Sequence, residues 1–201
     1  MNSLLDNYEY IIASLPERAE DAVLKGGSDN VSEEVRSLLS ASDRRIFDLF
    51  AEGFRPDGPD AEFYGKTASS PSRFIRDYFH YDLLMRNIKT EYLNRELGRP
   101  AGTDTVPDPY PAALTEGGEE IEAVLALDGI LERERGLDTL MNAKAEELVS
   151  SSLFTLDVIL SFLVRLRTAS RWASLDPETG RAMCRALLDG MRPSDKNDFT
   201  L

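Results

Sequence analysis

One histidine, one cysteine and a run of arginines are the residues of this chain whose types and spacing could do chemistry. Asp77 and His80 stand three apart, as a carboxylate and an imidazole do on the helices of di-iron bundles. Such a site needs two pairs of this kind and further glutamates, and the chain has a single His, so carboxylates would have to dominate. The plainer expectation puts His80 at the edge of an aromatic core, hydrogen-bonded to a neighbour. A Ser or Cys nucleophile would need His80 or a lysine as its base, and no Ser stands in a GxSxG setting. Cys184, beside Met183 and near Leu187, reads as a small buried thiol. Gly65, Lys66 and Thr67 spell the end of a phosphate-binding loop. Asp60 takes the place of the first glycine of that loop, however, and Asp60 and Glu62 would repel phosphate, so a surface turn is expected.

Charge clusters are the second source of candidates. Glu119, Glu120, Glu122, Glu132 and Glu134 read as a solvated helix face rather than an acid–base pair. Asp157 is the one acid inside the most apolar stretch, in a row with Ser150, Ser161 and Arg165. A wet edge, an ion pair or a functional acid would each explain it. Arg and Trp are favoured at interface hot spots. Arg165, Arg167, Arg171, Trp172, Arg181 and Arg185 are therefore the candidate partner contacts, against the alternative of ordinary salt bridges to the acidic remainder. No catalytic, cofactor-binding or metal-binding residue is expected, and the chain is not expected to be an enzyme.

The elements that would position these residues follow from periodicity. The spacing predicts one long helix, or two joined end to end, over residues 138–175. Its apolar side chains, among them Leu148, Leu160 and Phe162, cover nearly the whole circumference. No Gly or Pro interrupts it, and Asp157 and Arg165 keep it from being a membrane span. A helix is favoured over a strand near residues 3–14, ended by Pro16. Ser32 and Ser42 each start a short helix, and residues 54–69, rich in Pro and Gly, read as a connector. Ser70 followed by Pro71 marks the start of a helix running to about Leu97, with Phe74, Tyr78, Tyr81, Met85 and Ile88 on one stripe. Another helix begins near Glu119, weakly separated at Gly136, and a last one follows Asp176 and Pro177. The expected architecture is an all-α multi-helix bundle organised around one long buried helix. It comprises an N-terminal helical part (1–97), a Pro/Gly-rich connector (98–118) and a C-terminal helical part (119–191) packed on the first as one domain. A flexible tail (192–201) completes the chain. With four prolines and few apolar anchors, the connector is expected to be mobile.

Composition excludes some partners. A net charge of −13 disfavours nucleic acid and anionic membrane surfaces. From residue 165 onward seven Arg and Lys face five Asp and Glu, so the acidity lies in the preceding part. One Cys permits no internal disulfide, and the N-terminus lacks a basic and an apolar signal region. The expected location is the cytoplasm.

Five segments in order carry a resemblance: NYEYIIASLP (7–16), LSASDRRIFDLF (39–50), FIRDYFHYDLLMRNI (74–88), ILERERGLDTLM (130–141) and RWASLDPETG (171–180). Together they resemble an uncharacterised bacterial family encoded in V-type ATPase operons, at the position where the gene of the C-type stalk subunit would stand. That stalk subunit is an all-helical socket without a catalytic site, and it joins the rotating stalk to the membrane ring. The resemblance implies a non-catalytic accessory or central-stalk component. It would contact V-type ATPase subunits of the stalk or membrane sector at the cytoplasmic face, without a membrane span or cofactor. It carries no functional residue over. A helical metal-binding or enzymatic bundle using the Asp77–His80 face, and a transient regulatory adaptor, are the alternatives.

Overall fold

The computed structural model describes residues 8–16, 19, 27–112 and 116–175. Among these the chain is all-helical, with eight helices and no strand. They are α1 (Glu9–Ser14), α2 (Gly27–Leu38), α3 (Ala41–Glu52), α4 (Ala61–Ala68), α5 (Arg73–Glu96), α6 (Gly118–Leu125), α7 (Ile130–Glu147) and α8 (Leu156–Ala173). The helix expected after Pro177 and the tail lie outside the described residues.

Short polar side chains start three of these helices by accepting from an orphan backbone N–H. Ser40 accepts from Asp43 N at 3.2 Å, Asp60 from Phe63 N at 2.8 Å and Ser72 from Ile75 N at 3.2 Å. The cap of α5 is thus Ser72, not Ser70, and Pro71 lies before the helix rather than in its first turn. Helix α2 begins at Gly27, ahead of Ser32. Residues 61–68, expected as connector, form α4, because Asp60 caps it and its Phe63, Tyr64 and Thr67 are buried. Gly65, Lys66 and Thr67 therefore sit inside a helix. The Thr67 hydroxyl is fully buried and bonded to the Tyr110 hydroxyl at 2.8 Å.

The largest departure from expectation concerns residues 138–175. They form no continuous helix: α7 ends at Glu147 and α8 starts after Thr155. The break falls on Ser150, Ser151 and Ser152, whose hydroxyls offer the backbone competing bonds. Three tight turns, including Ser152 N to Val149 O at 2.8 Å, replace the helical ladder there. The two helices fold back antiparallel. Arg171 pairs with Asp138, the Thr168 hydroxyl meets Asn142 at 3.3 Å, and Arg165 meets Glu146 at 3.3 Å. Leu153 and Phe154, expected inside, are exposed on the turn.

Burial on all sides belongs to α8 alone. Its Leu156, Ile159, Leu160, Phe162, Leu163, Val164 and Leu166 are buried against α2, α3 and α7. The same core takes in Phe74, Ile75, Tyr78, Phe79 and Leu83 of α5, together with Phe47 and Phe50 of α3. A smaller core joins Tyr81 and Met85 of α5 to Ile121 and Leu125 of α6 and Leu137 of α7. Two glycines make that core possible. Gly117 caps α6 at φ +91°, and a Cβ there would lie 2.6 Å from the Tyr81 ring. Gly136 does not separate two helices. It lies within α7, where a Cβ would come 2.6 Å from Val124, so it sets how closely α6 and α7 approach.

Residues 98–112 lie along α5 instead of hanging from it. The Asn87 amide accepts from Val106 N at 2.9 Å and donates to Val106 O at 2.8 Å. Asn94 donates to Thr103 O at 2.8 Å, and Glu91 accepts from Gly102 N at 2.6 Å. His80 and Tyr110 stack at 4.1 Å, with their ring planes 10° apart. The anchors are polar groups on the helix, which is why a connector poor in apolar residues can still dock.

Candidate functional site

Helical spacing on two neighbouring elements builds a cleft. On α5, Asp82, Met85, Arg86, Lys89 and Leu93 recur on one face. Facing them on α7 are Glu134, Leu137, Asp138 and Met141, with Arg171 reaching in from α8. The cleft has a volume of about 490 Å³ and mixes charged walls with an apolar floor.

Its charges are joined across the helices. Lys89 meets Glu134 at 2.6 Å, and Arg171 pairs with Asp138 while lying 3.9 Å from Glu134. The Trp172 indole N–H donates to the same Asp138 carboxylate at 2.7 Å. At the inner end the Tyr64 hydroxyl donates to Asp82 at 2.5 Å and accepts from Arg86 Nε at 3.1 Å. Burial pushes the Asp82 carboxyl above the usual carboxylate range, against the opposing pull of Tyr64 and Arg86. Burial, with Asp82 beside it, raises the Tyr64 phenol as well. Asp82 is thus a buried carboxyl at the wall of the cleft, beside Tyr64 and Arg86. It ties α4 to α5. The sequence signal for it is an acid on the apolar face of α5, four residues after Tyr78 and three before Met85.

The arginines singled out from the sequence have separate fates. Arg165 pairs with Glu146, and Arg171 with Asp138 and Glu134, all on α7. Arg167 turns inward. Its guanidinium lies 4.6 Å from the Phe54 ring centroid and 5.9 Å from that of Phe50, and burial lowers its pKa. Trp172 is half-buried, with Arg135 4.9 Å from its ring centroid and Arg171 5.6 Å away. Arg167 and Arg171, one turn apart in sequence, thus do not reach the same surface. Arg181, Arg185 and Cys184 lie outside the described residues.

Asp77 and His80 are not brought together on a common ligand. Asp77 accepts from Arg73 at 3.0 Å, while His80 meets Asp108 at 3.2 Å. Among the described residues no three His, Cys, Asp or Glu side chains converge in a way that could hold a metal ion. Asp157 is partly buried, and its carboxyl is raised by burial and by the nearby charge of Asp43. No described helix is long and apolar enough to cross a membrane.

Comparison with known proteins adds one finding. No curated protein and no solved structure matches the chain. Residues 114–194, a stretch that includes α6, α7 and α8, match a family described as "Protein of unknown function (DUF2764)".

Proposed function

We propose that this protein is a non-catalytic accessory or central-stalk component of a V-type ATPase, acting through protein contacts. One observation carries the reading: exposed apolar side chains gather at both ends of α7. Leu127, Ile130 and Leu131 cluster at its start, and Leu153 and Phe154 lie just beyond its end. The helix between the two groups is eighteen residues, about 27 Å, long. A linking component needs two such contact regions on a rigid body, and the antiparallel α7–α8 pair supplies the rigidity. The five ordered segments that resemble the family of V-type ATPase operons support the choice of assembly.

The test is affinity recovery of the tagged protein from its native cell. Co-recovery of ATPase subunits in fixed stoichiometry is the expected outcome. Recovery in small, salt-sensitive amounts would favour a transient adaptor. Recovery without any ATPase subunit would remove the reading.

A further inference from the structure

The cleft between α5 and α7 does not end where its ion pairs end. Lys89 opposite Glu134, Tyr92 against Arg133 and Tyr81 against Lys144 together set an antiparallel register between the two helices. Continued by helical spacing, this register carries Leu93 toward Ile130, and the exposed Leu97, just past the end of α5, toward the turn between α6 and α7 that holds Leu127. Arg133, whose guanidinium lies 5.3 Å from the Tyr92 ring centroid and whose Nε donates to Leu127 O, holds that turn against the end of α5. The rows that line the cleft thus continue as a short apolar trough. Leu97 is 67% exposed, Ile130 76% and Leu131 64%, an unusual concentration for one corner of a small protein.

The charges around this trough are unequal. Of the cations at this corner, Arg95 pairs with Glu122 at 3.6 Å and Arg99 with Asp104, while Arg133 lies on Tyr92 and the Leu127 carbonyl and offsets one carboxylate of the rim. Glu96 and Asp128 have no cation partner among the described residues. Glu132 folds back over Gly129 at the start of α7, adding a third carboxylate to the rim. The rim is therefore net acidic on a chain whose formal charge is −13.

We propose that this trough is a docking groove for a basic amphipathic helix of a partner protein. The partner helix would lay aliphatic side chains against Leu93, Leu97, Ile130 and Leu131, with Lys or Arg beside Glu96 and Asp128. Apolar anchors supply the contact, and opposite charge on the rim sets orientation and selects against acidic partners. A second copy of this chain is a poor occupant, because it would bring the same carboxylates face to face. The proposal rests on the reading of the protein as one that works through contacts, and holds for whichever assembly it joins.

The probes are two fluorescein-labelled synthetic helical peptides of 18 residues, one Leu/Lys and one Leu/Glu, followed by anisotropy at low and high salt. The Leu/Lys peptide is expected to bind the wild-type chain and the Leu/Glu peptide not to. Leu97→Asn with Ile130→Asn should weaken binding by about tenfold or more, as should Glu96→Lys with Asp128→Lys. The charge-reversed pair should also gain affinity for the Leu/Glu peptide. All four sites are exposed, so the fold should survive, and circular dichroism checks it. A control pair, Glu33→Lys with Glu34→Lys on the exposed face of α2, changes the net charge equally away from the trough and should leave binding within about twofold. Equal weakening by the control would reduce the effect to net charge and overturn the groove. So would undiminished binding by the Asn pair, or no binding of the Leu/Lys peptide at all. Self-association in sedimentation that is abolished by the Asn pair would assign the trough to a second copy and likewise overturn the proposal. Groove binding without recovery of ATPase subunits would leave the groove standing and remove only the assigned assembly.

Discussion

At the scale of the residue, two side chains show how context decides what a charge does. Arg167 and Arg171 are both arginines of α8, yet one faces Phe54 and the other pairs with α7 carboxylates at the surface. Arg167→Glu should destabilise the fold by about 3 kcal/mol or more, since it buries a carboxylate among aromatic rings. Arg171→Glu, at a half-exposed pair, should cost only about 1 kcal/mol. Urea denaturation separates the two, and equal losses would mean that Arg167 is solvated. Asp82 makes a prediction about pH. Its folded-state pKa is raised, so the native chain keeps this proton to a higher pH than the unfolded chain does. Between the ordinary carboxylate value of 3.8 and the raised one, the unfolded state binds fewer protons. Stability from this group therefore falls as pH rises through that window. Asp82→Asn keeps an acceptor for the Tyr64 hydroxyl and removes the slope. The stability of the variant relative to wild type should grow as pH rises above the ordinary carboxylate value of 3.8. A difference that shrinks over that range would show that Asp82 is stabilised as the anion.

At the scale of the element, the strap over residues 98–112 and the Ser-rich turn after α7 are the two surprises. From its sequence the strap reads as loose, because its own side chains offer little apolar surface. The structure finds its anchors on α5, in Asn87, Glu91 and Asn94, which no inspection of the strap itself could reveal. Asn87→Ala leaves Val106 without both of its partners and should cost about 1–3 kcal/mol. Limited proteolysis should then cut between residues 100 and 110 sooner than in wild type. Unchanged cleavage kinetics would mean that Asn87 is not what holds the strap. The Ser-rich turn is the reverse lesson: neither Gly nor Pro was needed to stop α7. Three serines weaken the helix, and the antiparallel contacts of Asp138, Asn142 and Glu146 with α8 make the reversal the favoured path.

At the scale of the whole molecule, two cores of unequal size share α5. The larger one holds α8, and Phe162, 4% exposed, belongs to it. Phe162→Ala should cost about 3–5 kcal/mol across the whole unfolding transition. A loss below about 1 kcal/mol would show that the site does not sit in the core. The smaller core holds α6 through Ile121 and Leu125. Ile121→Ala should raise amide exchange in α6 before it affects α8, because few buried contacts hold α6 to the rest. Uniform loss of protection in both helices would make the two cores one cooperative unit. Much of this was legible in residue order. The aromatic stripe from Phe74 to Met85 and the apolar density of residues 156–166 determined helices with buried faces, since helical period and burial are local properties of a pattern. The all-α class followed from the same periodicity. What only tertiary structure decided is which polar groups meet. The cleft of Asp82, Arg86, Lys89, Glu134, Asp138 and Arg171 draws on three helices, and its charges are paired across gaps that sequence distance does not encode. The inward turn of Arg167, the helix at residues 61–68 and the docked strap have the same cause. In each, a partner far along the chain supplies the free energy that local propensity left undecided.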